Sequence, residues 1–367
     1  MRLLLTLLSL LAFAAPAHAA AGLELAVQDD AVLLHRAYGD ASLALDRTQE
    51  MGARRIRVNL AWASAMPVAQ SKARRRPRQV AWDFSALERL WAETNARGVS
   101  LQVTLTGPAP AWATSNRRVG FTRPDATRFG EFARAASTAF AGRVTRWSIW
   151  NEPNWHRLLA PASSAPGIYR GLYRAGQRAI SSVDPAAEVL IGEMMPGANT
   201  EKSTAALRFL RGVTCSRRNF TAARRCAGLQ ADGFALHPYQ FARRPRAAVP
   251  SNRDVVEIGS LSRLTKALDR LRSRGALVTR AGGRMPVFLT EFGYFTHGPL
   301  RRSPKTHAAW MREAWQIAER NPRVRQLLQY EIVDPWPKRV TWRSAVLERD
   351  GTPRPVFHAL RKLAFGR

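Results

Sequence analysis

Trp150-Asn151-Glu152-Pro153-Asn154 places one carboxylate between two asparagines and a proline, directly after the apolar and aromatic run Trp147-Ser148-Ile149. Proline cannot continue a strand interior and asparagine tolerates turn conformations, so this spacing predicts a buried strand that opens onto a loop at Glu152. A second such ending lies 139 positions on, where Pro286-Val287-Phe288-Leu289-Thr290 runs into Glu291-Phe292-Gly293-Tyr294. A lone acidic residue after a strand is ordinarily a solvated loop residue or a helix cap. Two of them, each ending a short apolar run, point instead to a pair facing one pocket.

Trp-Asn-Glu-Pro-Asn taken with Thr-Glu-Phe-Gly-Tyr resembles the acid/base and nucleophile motifs of the clan A retaining glycoside hydrolases, the cellulase and β-xylosidase-like superfamily built on a (β/α)8 barrel. The resemblance implies that Glu152 ends strand 4 as acid/base and that Glu291 ends strand 7 as nucleophile. It further implies that a strand-2 arginine and a strand-6 tyrosine, here Arg57 and Tyr239, contact the nucleophile, and that Asn151 binds the sugar 2-hydroxyl. His237 is expected to orient the site and Trp336 to offer an aromatic floor. Strand 3 and strand 8 depart from the pattern of many members, so Tyr330 or Trp112 are alternatives to Trp336, and Trp155 and His156 are candidates for the aglycone side. Each residue taken singly also has a bland reading: a buried ion pair for Arg57, a satisfied barrel histidine for His237, a packing aromatic for Trp336. Three βα units between the two glutamates is about 46 residues each against roughly 31 in a minimal barrel, so an insertion is expected there.

The rest of the chain alternates between strand and helix patterns. Strands are expected within Leu23–Leu34, at Arg55–Trp62, Val99–Leu105, up to Glu152, at Glu188–Ile191, Gly233–Leu236, up to Glu291, and at Arg325–Val333. Helices are expected at Ala41–Met51, Ser85–Ala96, Asp125–Phe140, Gly167–Ser181, Ala205–Arg211, Leu261–Ser273, Ala308–Glu319 and Val356–Leu363. Sustained βα alternation admits a barrel or a doubly wound open sheet. The glutamate motifs favour a single-domain (β/α)8 TIM barrel over residues 20–367.

At the start, Met1-Arg2, an apolar run from Leu3 to Ala15 and Ala17-His18-Ala19 have the form of an export signal over residues 1–19, so a secreted protein is expected. No later stretch approaches the ~20 apolar residues of a membrane helix. Cys215 and Cys226 are the two cysteines, and in an exported chain they read as a disulfide closing a short loop, with about 3 kcal/mol to gain in the chain-entropy model. No cofactor or metal is called for, because histidines and cysteines are not paired at ligand spacing.

Hydrophobic residues make up 46% of the chain and charged ones 23%, the balance of a globular protein able to bury a large core. The formal charge of +30 arises almost wholly from arginine, as a GC-rich coding sequence would produce. The functional alternative is attraction to an anionic polymer through a basic surface. Arg74-Arg75-Arg76 and Arg243-Arg244-Pro245-Arg246 lack the aromatic interleaving of a nucleic-acid module. The expectation is a monomeric retaining β-glycosidase acting on a carbohydrate. Its rivals are a barrel that binds glycan without cleaving it and a polyanion-binding protein.

Overall fold

Along Arg55-Ile56-Arg57-Val58-Asn59-Leu60-Ala61 polar and apolar residues alternate with the period of a strand, so one face is polar and the other apolar. The computed structural model, which describes residues 22–223, 226–335 and 342–366, shows what the two faces meet. Eight parallel strands close into a barrel: β1 (Glu24–Gln28), β2 (Arg55–Ala61), β3 (Ser100–Thr106), β4 (Arg146–Ile149), β5 (Glu188–Met194), β6 (Gly233–Leu236), β7 (Val287–Leu289) and β8 (Val324–Tyr330). They neighbour one another in chain order and β8 pairs with β1, for example Leu25 with Leu327. The open-sheet alternative is thereby excluded.

Apolar residues of the strands, such as Ile56, Val58 and Leu60, are buried against an outer ring of helices. These are α1 (Ala41–Glu50), α2 (Ser85–Asn95), α3 (Ala126–Ala139), α4 (Ala165–Val183), α5 (Ala206–Val213), α6 (Leu261–Ser273), α7 (Pro304–Glu319) and α8 (Pro355–Ala364). Leu87 and Leu90 of α2 and Phe129, Phe132 and Ala136 of α3 form buried stripes at helical spacing, as their sequence periodicity requires. Helix α7 begins four residues before the expected start at Ala308. The Ser303 hydroxyl accepts from the Thr306 amide, and Pro304 fills the first turn where no amide donor is needed. Strand β8 stops at Tyr330, short of the expected Val333, where the chain turns into a loop. Among the described residues, no helix is long and apolar enough to cross a membrane.

The barrel interior is a stack of polar layers. At the end where the strands begin, Arg146 donates to Glu24 (2.6 Å), Glu188 (2.7 Å) and Gln326 (2.8 Å), and Arg55 donates to Glu24 at 3.0 Å. Arg57, two residues further along β2, belongs to the layer at the other end. A strand period of two therefore carries successive β2 arginines from the floor of the barrel to its mouth.

The insertion expected between the two glutamates is spread over the long connections from β5 to β6 and from β6 to β7. The first includes α5 and the loop closed by the Cys215–Cys226 disulfide, with Cα atoms 6.2 Å apart. Because α5 runs back toward the start of the strands, this loop stands at the rim away from the strand carboxyl ends.

Candidate active site

Strand β4 ends at Ile149, and the next residues leave the sheet abruptly. Trp150 and Glu152 both adopt left-handed backbone conformations, with φ of 64° and 43°, which non-glycine residues hold only when their surroundings fix them. Here the Trp150 amide donates to the Leu105 carbonyl (2.7 Å) and its indole to the Leu158 carbonyl (2.7 Å). The Glu152 amide donates to the Glu193 carbonyl at 2.9 Å. Asn154 donates through its amide group to the Met195 and Thr204 carbonyls, both at 2.8 Å. The motif's first residue and its second asparagine thus anchor the turn that aims Glu152 into the barrel mouth.

Glu291 lies two residues beyond the end of β7, after Thr290. One of its oxygens accepts from Arg57 at 2.7 Å and the other from the Tyr239 hydroxyl at 3.2 Å. His237 Nδ1 lies 3.0 Å from Glu152 Oε1 and 3.5 Å from Glu291 Oε2, so it bridges the pair. Its Nε2 is 2.7 Å from Glu193 Oε2, which also accepts from Thr290 (2.6 Å) and pairs with Arg57 (3.1 Å). Arg57 reaches Asn151 Oδ1 at 2.8 Å and Thr104 at 3.0 Å, and it donates to Gln28. Oxygen atoms of Glu152 and Glu291 and a ring nitrogen of His237 all lie within 4.8 Å of one another.

Charge decides how this cluster is protonated. Burial by itself would lower His237, but the Glu291, Glu152 and Glu193 carboxylates outweigh it and lift the imidazole to about 9. Burial would raise Glu193, yet Arg57 and His237 bring it down to about 2. Burial pushes Glu291 above the ordinary carboxylate range; His237 and Arg57 pull it back part of the way, and Glu152 adds to the rise. The carboxylates of Glu152, Glu193 and Glu291 surround two cations, Arg57 and His237. Burial likewise holds the Tyr239 phenol protonated, as a donor must be. A protonated His237 donates from both ring nitrogens, which fits its place between Glu152 and Glu193.

These shifts have a consequence for stability. His237 is raised from 6.5 to about 9, so its contribution is fully present below pH 6.5 and is lost as pH rises through 9. Glu193 is lowered from 4.5 to about 2, so its contribution is present above pH 4.5 and is lost as pH falls through 2. The cluster therefore stabilises most between these limits. Asp29 and Glu331, raised by burial from 3.8 to about 7 and from 4.5 to about 9, are destabilising as pH rises through those two ranges, so their loss overlaps the interval in which the cluster stabilises most. His237→Gln should flatten the fall in stability between pH 6.5 and 9 by roughly 3 kcal/mol, read as the wild-type minus variant difference in denaturant unfolding at the two pH values. Parallel curves for the two proteins would show that His237 does not titrate in that window.

The cluster opens into a cleft of about 620 Å³. Asn151, Glu152, Tyr239 and Glu291 line it, as anticipated. Arg57 and His237 lie fully buried beneath its floor. Trp336 falls outside the described residues. Of its alternatives, Tyr330 lines the cleft, whereas Trp112 is buried against Trp62, 5.8 Å away, and does not. Trp155 lines the cleft; His156 instead bonds to the Glu201 carbonyl (2.6 Å) and Thr204 (3.1 Å), tying down the loop after β5.

Two residues of the site were missed in the sequence. Glu193 ends β5 as Glu152 and Glu291 end their strands, and Val189-Leu190-Ile191-Gly192-Glu193 carried that same signal. Trp342 lines the cleft in an aromatic cluster with Tyr239 (5.1 Å), Phe241 (5.2 Å) and Tyr330 (5.8 Å). Nothing local to Trp342 announces this, because these partners come from two other segments, the stretch after β6 and the end of β8.

No protein-family model matches the sequence, and no curated protein matches it. Solved structures do. A family 39 glycoside hydrolase from the gut symbiont Bacteroides cellulosilyticus superposes with a TM-score of 0.67 at 18% identity, covering 94% of this chain and 64% of its own. A monomeric β-xylosidase from Caulobacter crescentus gives 0.60 at 15%, covering 94% and 69%. An exo-β-1,4-mannosidase from an Opitutaceae bacterium gives 0.59 at 16%, covering 94% and 59%. The chain thus spans roughly two thirds of the length of these proteins. In fold, it is a (β/α)8 barrel of the kind those glycoside hydrolases share.

Proposed function

We propose that this protein is a secreted, monomeric retaining β-glycosidase in which Glu291 is the nucleophile and Glu152 the acid/base. The observation that carries the reading is the approach of one carboxyl oxygen of Glu152 and one of Glu291, just beyond β4 and β7, to within 4.8 Å. Double displacement needs ~5–5.5 Å between the two groups, whereas inverting enzymes leave ~6.5–9.5 Å for a water. Direct attack by Glu291 is the shorter route.

In the first step a Glu291 oxygen bonds to the anomeric carbon while the bond to the leaving oxygen breaks, and Glu152 gives that oxygen its proton. In the second, Glu152 takes a proton from water, whose oxygen displaces Glu291. Arg57 and Tyr239 both donate to Glu291 and favour its charged state, as the attacking group requires. As the charge on Glu291 is consumed, His237 and Arg57 stay fixed by Glu193, so their positive field needs no reorganisation. Asn151, held by Arg57, stands where a 2-hydroxyl would be bound.

The sugar at this site is read as uncharged. Among the described residues the cleft exposes no cation, since Arg57 is buried and committed to carboxylates, while Glu152 and Glu291 would repel an acidic sugar. The aromatic group of Tyr239, Tyr330 and Trp342 suits the apolar face of a pyranose. Trp155, Leu158 and Met195, on the β4 and β5 side, suit the aglycone. The similar structures include a β-xylosidase and an exo-β-1,4-mannosidase, which differ in their sugar, so specificity here rests on this lining. Export is supported by the pattern of residues 1–19, which lie outside the described residues, and by the disulfide.

The test is stereochemical. Proton NMR of the anomeric region during the first minutes of hydrolysis of a β-glycoside should show the β anomer before mutarotation. Initial appearance of the α anomer would refute double displacement, and absence of cleavage across a panel of β-glycosides would leave a binding barrel.

A further inference from the structure

A basic groove of about 1080 Å³ lies away from the cleft, between α5 and α6. On α6, Arg263, Lys266 and Arg270 line it at i, i+3 and i+7, with the buried Ala267 between them. These positions share one helical face, so the three cations form a stripe about 10 Å long. Exposed Arg253 adds a charge at the catalytic end of the groove, and exposed Arg217 and Arg218 add two at the opposite end, on the loop that the Cys215–Cys226 disulfide pins. The far wall carries Arg211, which forms two bonds to Asp254, at 2.7 and 2.6 Å. Among the described residues Asp254 is the one acidic residue lining the groove, and its pairing with Arg211 holds its carboxyl below the ordinary range. Six further cations share the groove with no second carboxylate among its described lining residues, although Arg263 donates to the Asn252, Val255 and Pro250 carbonyls.

Such an arrangement is unfavourable on its own. Like charges at i, i+3 and i+4 repel along a helix, and a cation in the first turn, as at Arg263, opposes the helix dipole. An anionic chain in the groove would relieve both. Codon composition accounts for many arginines on this protein, but not for their convergence with a lysine on one groove that a disulfide helps to shape.

We infer that this groove binds an acidic polysaccharide, a chain bearing repeated carboxylate or sulfate groups, and anchors the protein to it while the cleft acts on a neutral glycosidic unit. The choice of a glycan over nucleic acid follows from the lining. Among the described residues Phe220 is the one aromatic residue lining the groove, and it is buried, with the Arg211 guanidinium 5.6 Å from its centroid, so it offers no free face for a base to stack on. The division of labour rests on the glycosidase reading; binding by the groove does not.

The experiment uses the full secreted protein and polygalacturonate as the probe, with dextran as the neutral control and a single-stranded oligonucleotide of matched charge. Affinity electrophoresis or anisotropy at about 50 and about 300 mM salt should show polygalacturonate bound at the lower concentration, weakened at the higher, and dextran not bound. Arg253→Gln, Lys266→Gln and Arg270→Gln together should lower that affinity about tenfold or more and leave hydrolysis of a small neutral aryl glycoside unchanged. These three side chains are exposed, and glutamine preserves helix propensity at the two helical positions. An equal number of charges removed at Arg74, Arg75 and Arg78, all exposed on the β2 side of the barrel, should have little effect. Equal loss in that control would reduce the groove to part of a general net-charge attraction and overturn the inference. So would oligonucleotide binding as tight as polygalacturonate, or no binding at low salt. Lack of hydrolysis by the wild-type protein would count against the glycosidase reading alone.

Discussion

Glu291→Gln is expected to abolish turnover, with kcat on an aryl β-glycoside falling on the order of 10⁴-fold or more, the scale of removing a covalent nucleophile. The protein should stay folded. Glutamine has nearly the shape of glutamate, and its carbonyl can still accept from Arg57, which Asn151 and Glu193 continue to hold. What disappears is the negative charge that forms the bond to the anomeric carbon. Circular dichroism and an unfolding curve should match wild type at neutral pH while kcat is lost. Activity within tenfold of wild type would show that another group attacks, and the role given to Glu291 would fall.

Glu152→Gln should split by leaving group. A poor leaving group such as an alkyl alcohol needs protonation as its bond breaks, so its cleavage should fall roughly 10²–10⁴-fold, the range of general acid catalysis. A nitrophenolate leaves without that help, so formation of the glycosyl-enzyme should survive. Its hydrolysis would then lag, because Glu152 also activates the water. The expected trace is a burst of nitrophenolate followed by a slow steady state. A uniform loss across leaving groups, with no burst, would remove Glu152 from the acid/base role.

Both predictions depend on how much of the site could be read without coordinates. Glu152, Glu291, Arg57, Asn151, His237 and Tyr239 stand near strand ends, and a strand that ends in a polar residue before a turn leaves a local mark. The structure brings these six to one end of the barrel. Glu193 left a mark as well, but the expected end of β5 at Ile191 hid it. Beyond Ile191 the pairing with β6 shifts register before Met194. Gly192 permits this: its φ of 122° is in the region that favours glycine, and a Cβ there would stand 2.3 Å from the Ala235 carbonyl. Glu193, itself at φ 48°, is thereby turned inward under His237. An alternation pattern cannot report a bulge, because the bulge is where the alternation fails.

By itself, then, the sequence determined the features that arise from neighbouring residues: the βα alternation, the amphipathic helix faces, the two strand-ending glutamates and a cysteine pair only 11 positions apart. Tertiary structure alone decided the features made by residues far apart in the chain. It closed the sheet by pairing β1 with β8, placed Trp342 beside Tyr239 over the cleft, and set Arg217 and Arg218 in one groove with the stripe on α6. The physical reason is one of range. Backbone propensity and side-chain periodicity act over a few residues, whereas a charge cluster or a cleft is an intersection of segments that only the closed barrel brings together.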